Sequence, residues 1–73
     1  MWNMAQRYKT RHLIPQIVDE VRAKKKVPVA YLAYKYNLSR HYLRYMILKN
    51  IIEMYSDIKI VREDSKEYVV SEA

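Results

Sequence analysis

Val29-Ala30-Tyr31-Leu32-Ala33-Tyr34-Lys35-Tyr36-Asn37-Leu38-Ser39-Arg40-His41-Tyr42-Leu43-Arg44-Tyr45-Met46-Ile47-Leu48 is the stretch whose reading decides the fold. Val29, Leu32, Ala33 and Tyr36 recur at helical spacing and give one apolar face to a short helix over 29–36. Asn37 follows it. In a chain with no glycine, Asn is the residue that best tolerates a left-handed turn. Ser39 then caps a second, longer helix, because its hydroxyl accepts from the N–H groups that the first turn leaves free. That helix is predicted over 39–55, with Leu43, Met46, Ile47, Ile51 and Met54 facing inward and Asn50 near the same face.

Upstream, Leu13, Ile14, Ile17, Val18 and Val21 predict a further helix over 10–26. Thr10 is its expected N-cap, and Lys24, Lys25 and Lys26 complement the dipole at its C-terminal end. Pro15 moves the true start a few residues later. Val27-Pro28-Val29 interrupts the pattern, with Pro28 suited to the first position of the next helix. Residues 1–9 form an N-terminal arm in which Trp2, Met4 and Tyr8 are apolar. Downstream, Ser56-Asp57 breaks the third helix. Ile58 to Arg62 and Lys66 to Val70 read as strands around a polar Glu63-Asp64-Ser65 turn, a hairpin over 58–70. The expected fold is one mainly α domain with a small β-hairpin, an α+β arrangement of three helices followed by two strands.

The inventory excludes several function classes. With 73 residues there is room for a single small domain. Zero Cys excludes disulfides and thiolate metal sites, and His12 and His41 alone do not hold a structural zinc, so no metal or cofactor is expected. A phosphate-cradling loop needs glycine, which is absent. Asp19 and Glu20 are adjacent on a helix and cannot face each other, and Ser39 and His41 point in different directions, so no enzyme is expected. The longest strongly apolar stretch, Val27 to Tyr34, is too short to span a bilayer. The first residues carry no secretory h-region, which predicts a cytoplasmic protein, nucleoid-associated or in the host cytoplasm if virus-encoded. The Tyr- and Ile-rich, Cys-free composition is compatible with a thermophile.

Charge points to a partner. The chain carries a net +6 and a pI near 9.7. Residues 1–50 hold eleven Lys/Arg against Asp19 and Glu20, a net of +9. Residues 51–73 hold three against six acids, a net of −3. A basic body with a mildly acidic end suits a polyanion.

The order of elements and the residues quoted above resemble the winged helix-turn-helix family of DNA-binding proteins, over about residues 10–72. Ala33 stands where the family has a small residue at the helix crossing. Asn37 stands where it usually has Gly, and Leu38 plugs the core after the turn. Leu43, Met46 and Ile47 match buried positions of the recognition helix. Lys66-Glu67-Tyr68-Val69-Val70-Ser71-Glu72 is similar to the family's last strand. Three features depart from the pattern. The family's first strand falls on the brief Lys26-Val27-Pro28 and is reduced to a vestige, leaving a two-stranded wing. Asn50 replaces an apolar residue, and Glu63, Asp64 and Glu67 make the wing acidic.

The resemblance implies a double-stranded DNA-binding transcriptional regulator with the third helix in the major groove. Arg40, Arg44 and His41 are the expected base contacts, since an Arg fork matches guanine O6 and N7. Ser39, Tyr45, Lys49 and Lys35 on the helices, with Arg62 and Lys66 on the wing, are the expected phosphate contacts. The arm, through Trp2, Met4 and Tyr8, is the expected homodimer contact. Two alternatives use the same residues. One is a protein-interaction module built on the acidic wing and Tyr-rich surface. The other is RNA or single-strand binding by Tyr31, Tyr34, Tyr36, Tyr42 and Tyr45. The bland reading makes Arg40, His41 and Arg44 an ordinary solvated helix face, and the tyrosines thin-core packing.

Overall fold

The computed structural model describes residues 11–72. Thr10 and the arm residues Trp2, Met4 and Tyr8 lie outside the described residues. Helix α1 spans Leu13–Lys24, strand β1 Lys26–Pro28 and helix α2 Val29–Lys35. Helix α3, residues 40–54, runs continuously through an α segment Arg40–Tyr42, a π segment Leu43–Ile47 and an α segment Leu48–Met54. Strands β2, Ile58–Glu63, and β3, Lys66–Ser71, complete a three-stranded antiparallel sheet ordered β1-β3-β2. The fold is therefore α+β.

The expected two-stranded hairpin is corrected to three strands. Lys26, Val27 and Pro28 pair with Val70, Val69 and Tyr68 of β3. Pro28 is tolerated because β1 is an edge strand and has no ladder to interrupt on its outer side. It forms the N-cap of α2 rather than its first residue. The expected C-terminal end of the first helix also moves. Lys25 turns left-handed at φ 71°, so α1 ends at Lys24, and the Lys25 carbonyl accepts the Ser71 N–H at 2.9 Å. Pro15 falls in the first turn of α1, where its missing N–H is not needed.

The glycine-free chain places its positive φ angles on Lys25, Asn37, Asp64 and Ser65. At Asn37 (φ 55°) the turn closes with two bonds: Asn37 N–H to Tyr34 O at 3.2 Å and Leu38 N–H to Ala33 O at 2.9 Å. This is the Schellman pattern, with Asn taking the usual place of Gly. Ser39 caps α3 as expected, its Oγ accepting from Tyr42 N–H at 3.0 Å. Asp64 and Ser65, both at positive φ, form the two-residue loop of the β2–β3 hairpin.

The core gathers Ile17, Val18 and Val21 of α1, Leu32 and Ala33 of α2, and Leu43, Ile47, Leu48 and Ile51 of α3. Val27, Ile58 and Val69 close it from the sheet. Two of the predicted inward residues are corrected. Met46 and Met54 are 39% and 60% exposed, whereas Leu48 is fully buried. The π segment is the cause. Its wider turn consumes an extra residue, which turns Met46 outward and brings Leu48 inward while Ile47 and Ile51 keep their predicted places. Tyr55 then packs on the core where Met54 was expected, and Asn50 becomes exposed and escapes the interior.

Candidate nucleic-acid interface

Three backbone devices position this side of the molecule. The Asn37 turn and the Ser39 cap fix the start of α3 relative to α2. The hairpin, anchored through β3 to β1, is held beside that start. Between them lies an open groove of about 420 Å³ lined by Arg40 and Tyr45 of α3, Arg62, Ser65, Lys66, Glu67 and Tyr68 of the hairpin, and Pro28 to Ala30. Four predicted contact residues, Arg40, Tyr45, Arg62 and Lys66, thus meet in one place although they span 27 positions of sequence. Arg40, Arg62 and Lys66 are exposed, and their side chains make no ion pair or hydrogen bond among the described residues.

The other predicted residues are placed differently. Arg44, half-buried, turns to the hairpin. Its Nε donates to Glu67 Oε1 and Oε2, each at 3.3 Å. His41 is exposed, and its ring lies against that of Tyr45 with centroids 4.8 Å apart. Ser39 uses its oxygen as the α3 cap, leaving its hydroxyl proton to donate outward. Lys49 is exposed but follows the π segment and does not line the groove.

Lys35 is drawn to the other side of α2. Its Nζ donates to Glu20 Oε1 at 2.9 Å, while Lys24 donates to Oε2 at 2.9 Å and the Tyr36 hydroxyl to Oε1 at 3.4 Å. Lys35 foremost, with Lys24 and Tyr31 behind it, lowers the Glu20 pKa to about 2 against the opposing pull of its burial. Arg22 holds Asp57 in the same manner, through Nε at 3.0 Å and Nη2 at 2.9 Å, with the Ser71 hydroxyl donating at 3.2 Å. Asp57 is likewise lowered to about 2, chiefly by Arg22. Lys26 pairs with Glu63, and Lys59 with Glu72 at 2.8 Å.

Sequence reading missed Glu67 as the partner of Arg44 and Glu20 as the partner of Lys35. The only local signal was the Glu20–Lys24 pair at i,i+4 spacing, which marks Glu20 as an ion-pairing residue. Among the described residues no cluster of His, Asp or Glu suits a metal ion, and no helix is long and apolar enough to cross a membrane.

A small α+β chain with a cationic groove between a helix and a hairpin is the class that this geometry defines. Comparisons with protein-family models, with curated proteins and with solved structures find no match to the chain.

Proposed function

We propose that the chain is a winged helix-turn-helix protein that binds double-stranded DNA and regulates transcription. In this reading α2, the Asn37 turn and α3 form the helix-turn-helix. The β2–β3 hairpin is the wing, and β1 is the short strand that ties the wing to the helices. One observation carries the proposal: Arg40, Arg62 and Lys66 reach the same groove without a carboxylate partner. Three free cations around a concave surface supply the electrostatic footprint of a phosphate backbone. Arg40, on the first turn of α3, enters the major groove, and Arg62 and Lys66 grip the flanking strand.

The test is an anisotropy titration with a random-sequence duplex across a salt series. The two phosphate contacts of Arg62 and Lys66 predict a slope of log K against log salt of about −1.8, at about −0.9 per contact, and steeper where Arg40 also neutralises a phosphate. A folded protein that shows no binding at low salt overturns the proposal. Tyr34, 88% exposed, together with the acids of the hairpin, favours a second reading as a protein-docking domain. That reading takes over in the absence of duplex binding. Tighter binding to single strands than to duplex moves the assignment to RNA or single-stranded DNA.

A further inference from the structure

Resting on the duplex-binding reading, we propose that Glu67 is a built-in competitor for Arg44. It holds the guanidinium until a base edge displaces it, and so makes binding selective for sequence. The pair joins two elements, α3 and β3, across 23 positions of sequence. Both side chains are about one-third exposed, at 30% and 32%. The contact is sheltered enough to be populated and open enough to exchange.

Its location separates it from the other ion pairs. Glu67 lines the groove itself, beside Arg40, Arg62 and Lys66, whereas Glu20 and Asp57 do not. A carboxylate there opposes any phosphate that approaches. It does not oppose a neutral base edge in the same way. Arg44 leaving Glu67 loses a charge-assisted contact to two oxygens. Guanine, through O6 and N7, restores two hydrogen bonds without bringing a negative charge against the carboxylate. A phosphate also offers two oxygens, but at the cost of repulsion from Glu67. The carboxylate therefore penalises backbone-only engagement of Arg44 and leaves base readout as the better exchange. Discrimination here comes from weakening the wrong complex rather than strengthening the right one.

The experiment is a double-mutant cycle of duplex affinity using wild type, Glu67→Gln, Arg44→Ala and the double variant. Two probes are used: a random-sequence duplex, and the tightest duplex recovered from a randomised library on the wild type. Glu67→Gln is expected to tighten random-duplex binding by about fivefold, the upper range for releasing a partly exposed pair. It is also expected to lower the affinity ratio between the selected and random duplexes. In the Arg44→Ala background the gain falls to less than about half of that, since the two positions are coupled. Equal gains in both backgrounds show a simple charge effect and overturn the proposal, as does an unchanged selected-to-random ratio. If neither wild type nor Glu67→Gln binds any duplex, the duplex-binding reading itself fails, and this inference with it. Matching far-UV spectra and melting curves for the four proteins establish that the cycle compares folded molecules.

Discussion

Lys24 and Lys35 close on Glu20, and Arg22 on Asp57, whereas Arg40, Arg62 and Lys66 share a groove and, among the described residues, none of them pairs with a carboxylate. The first group joins α1 to α2 and to the start of the sheet. The second faces outward beside α3. Both regions are dense in Lys and Arg, and a net charge of +6 does not distinguish them. The difference lies in which cations have a neighbour that satisfies them. An ion-paired Lys is half-neutralised towards a polyanion and loses a structural contact when it moves. An unpaired Arg retains its full field and gives up only solvent. Charge that is available for recognition is charge the fold has left unmatched.

The largest expected effect breaks the groove. Arg40→Ala/Arg62→Ala/Lys66→Ala should weaken duplex binding on the order of a hundredfold and remove most of the salt dependence. The counterpart Lys24→Ala/Lys35→Ala should leave the affinity within about threefold, because neither lysine lines the groove and both are held by Glu20. Comparable losses from both sets would erase the distinction between the two regions. Anisotropy titrations at matched salt read all of these.

Acid sharpens the comparison from the side of the ion-paired junction. Glu20 and Asp57 have folded-state pKa values of about 2, below their ordinary values of 4.5 and 3.8. The unfolded chain therefore takes up protons first as pH falls. Stability from these two carboxylates is fully present above their ordinary values and is lost as pH drops from there through about 2. Thermal melts from neutral pH downward should show this decline. Glu20→Gln/Asp57→Asn should lower the neutral-pH melting temperature and flatten the acid limb. An unchanged acid limb in that variant would remove these carboxylates as its cause.

Smaller effects concern how α3 is aimed. Ser39→Ala removes the cap and should cost about 1 kcal/mol in a denaturant melt. Asn37→Ala should cost about 1 kcal/mol, because at φ 55° Ala keeps the Cβ clash without the local polar contacts by which Asn offsets it, while Asn37→Gly should stay within about 0.5 kcal/mol of wild type. Equal losses for Gly and Ala would show that the Asn side chain, and not its backbone angle, fixes the turn.

Local features were legible in the sequence, because their causes lie within a few residues. The Asn37 turn, the Ser39 cap and the polar hairpin loop each follow from the chemistry of two or three side chains. Non-local features were not. The pairing of β1 with β3 joins Lys26 to Val70, and no periodicity in a three-residue strand announces it. The exposure of Met46 and Met54 depends on the π segment, which strict 3.6-residue counting cannot contain. In the candidate site, residue type was informative but availability was not. Arg40, Arg62 and Lys66 meet in the groove, while Lys35 and Arg44, equally basic, are drawn to Glu20 and Glu67. Those carboxylates are 15 and 23 positions away, and only the folded chain brings them near.

The sheet order β1-β3-β2 has a consequence for how the protein is made. In chain order its central strand, β3, comes after both of the strands it joins. At about 5–20 residues per second, α1, α2 and α3 emerge while β1 and β2 still lack the strand that both must pair with. The helical layer must then wait with its apolar faces partly open until Lys66–Ser71 slides between the other two strands. Assembly of the groove is thereby timed to the emergence of β3, so a nascent chain offers no aligned Arg40, Arg62 and Lys66 to a polyanion before the sheet closes.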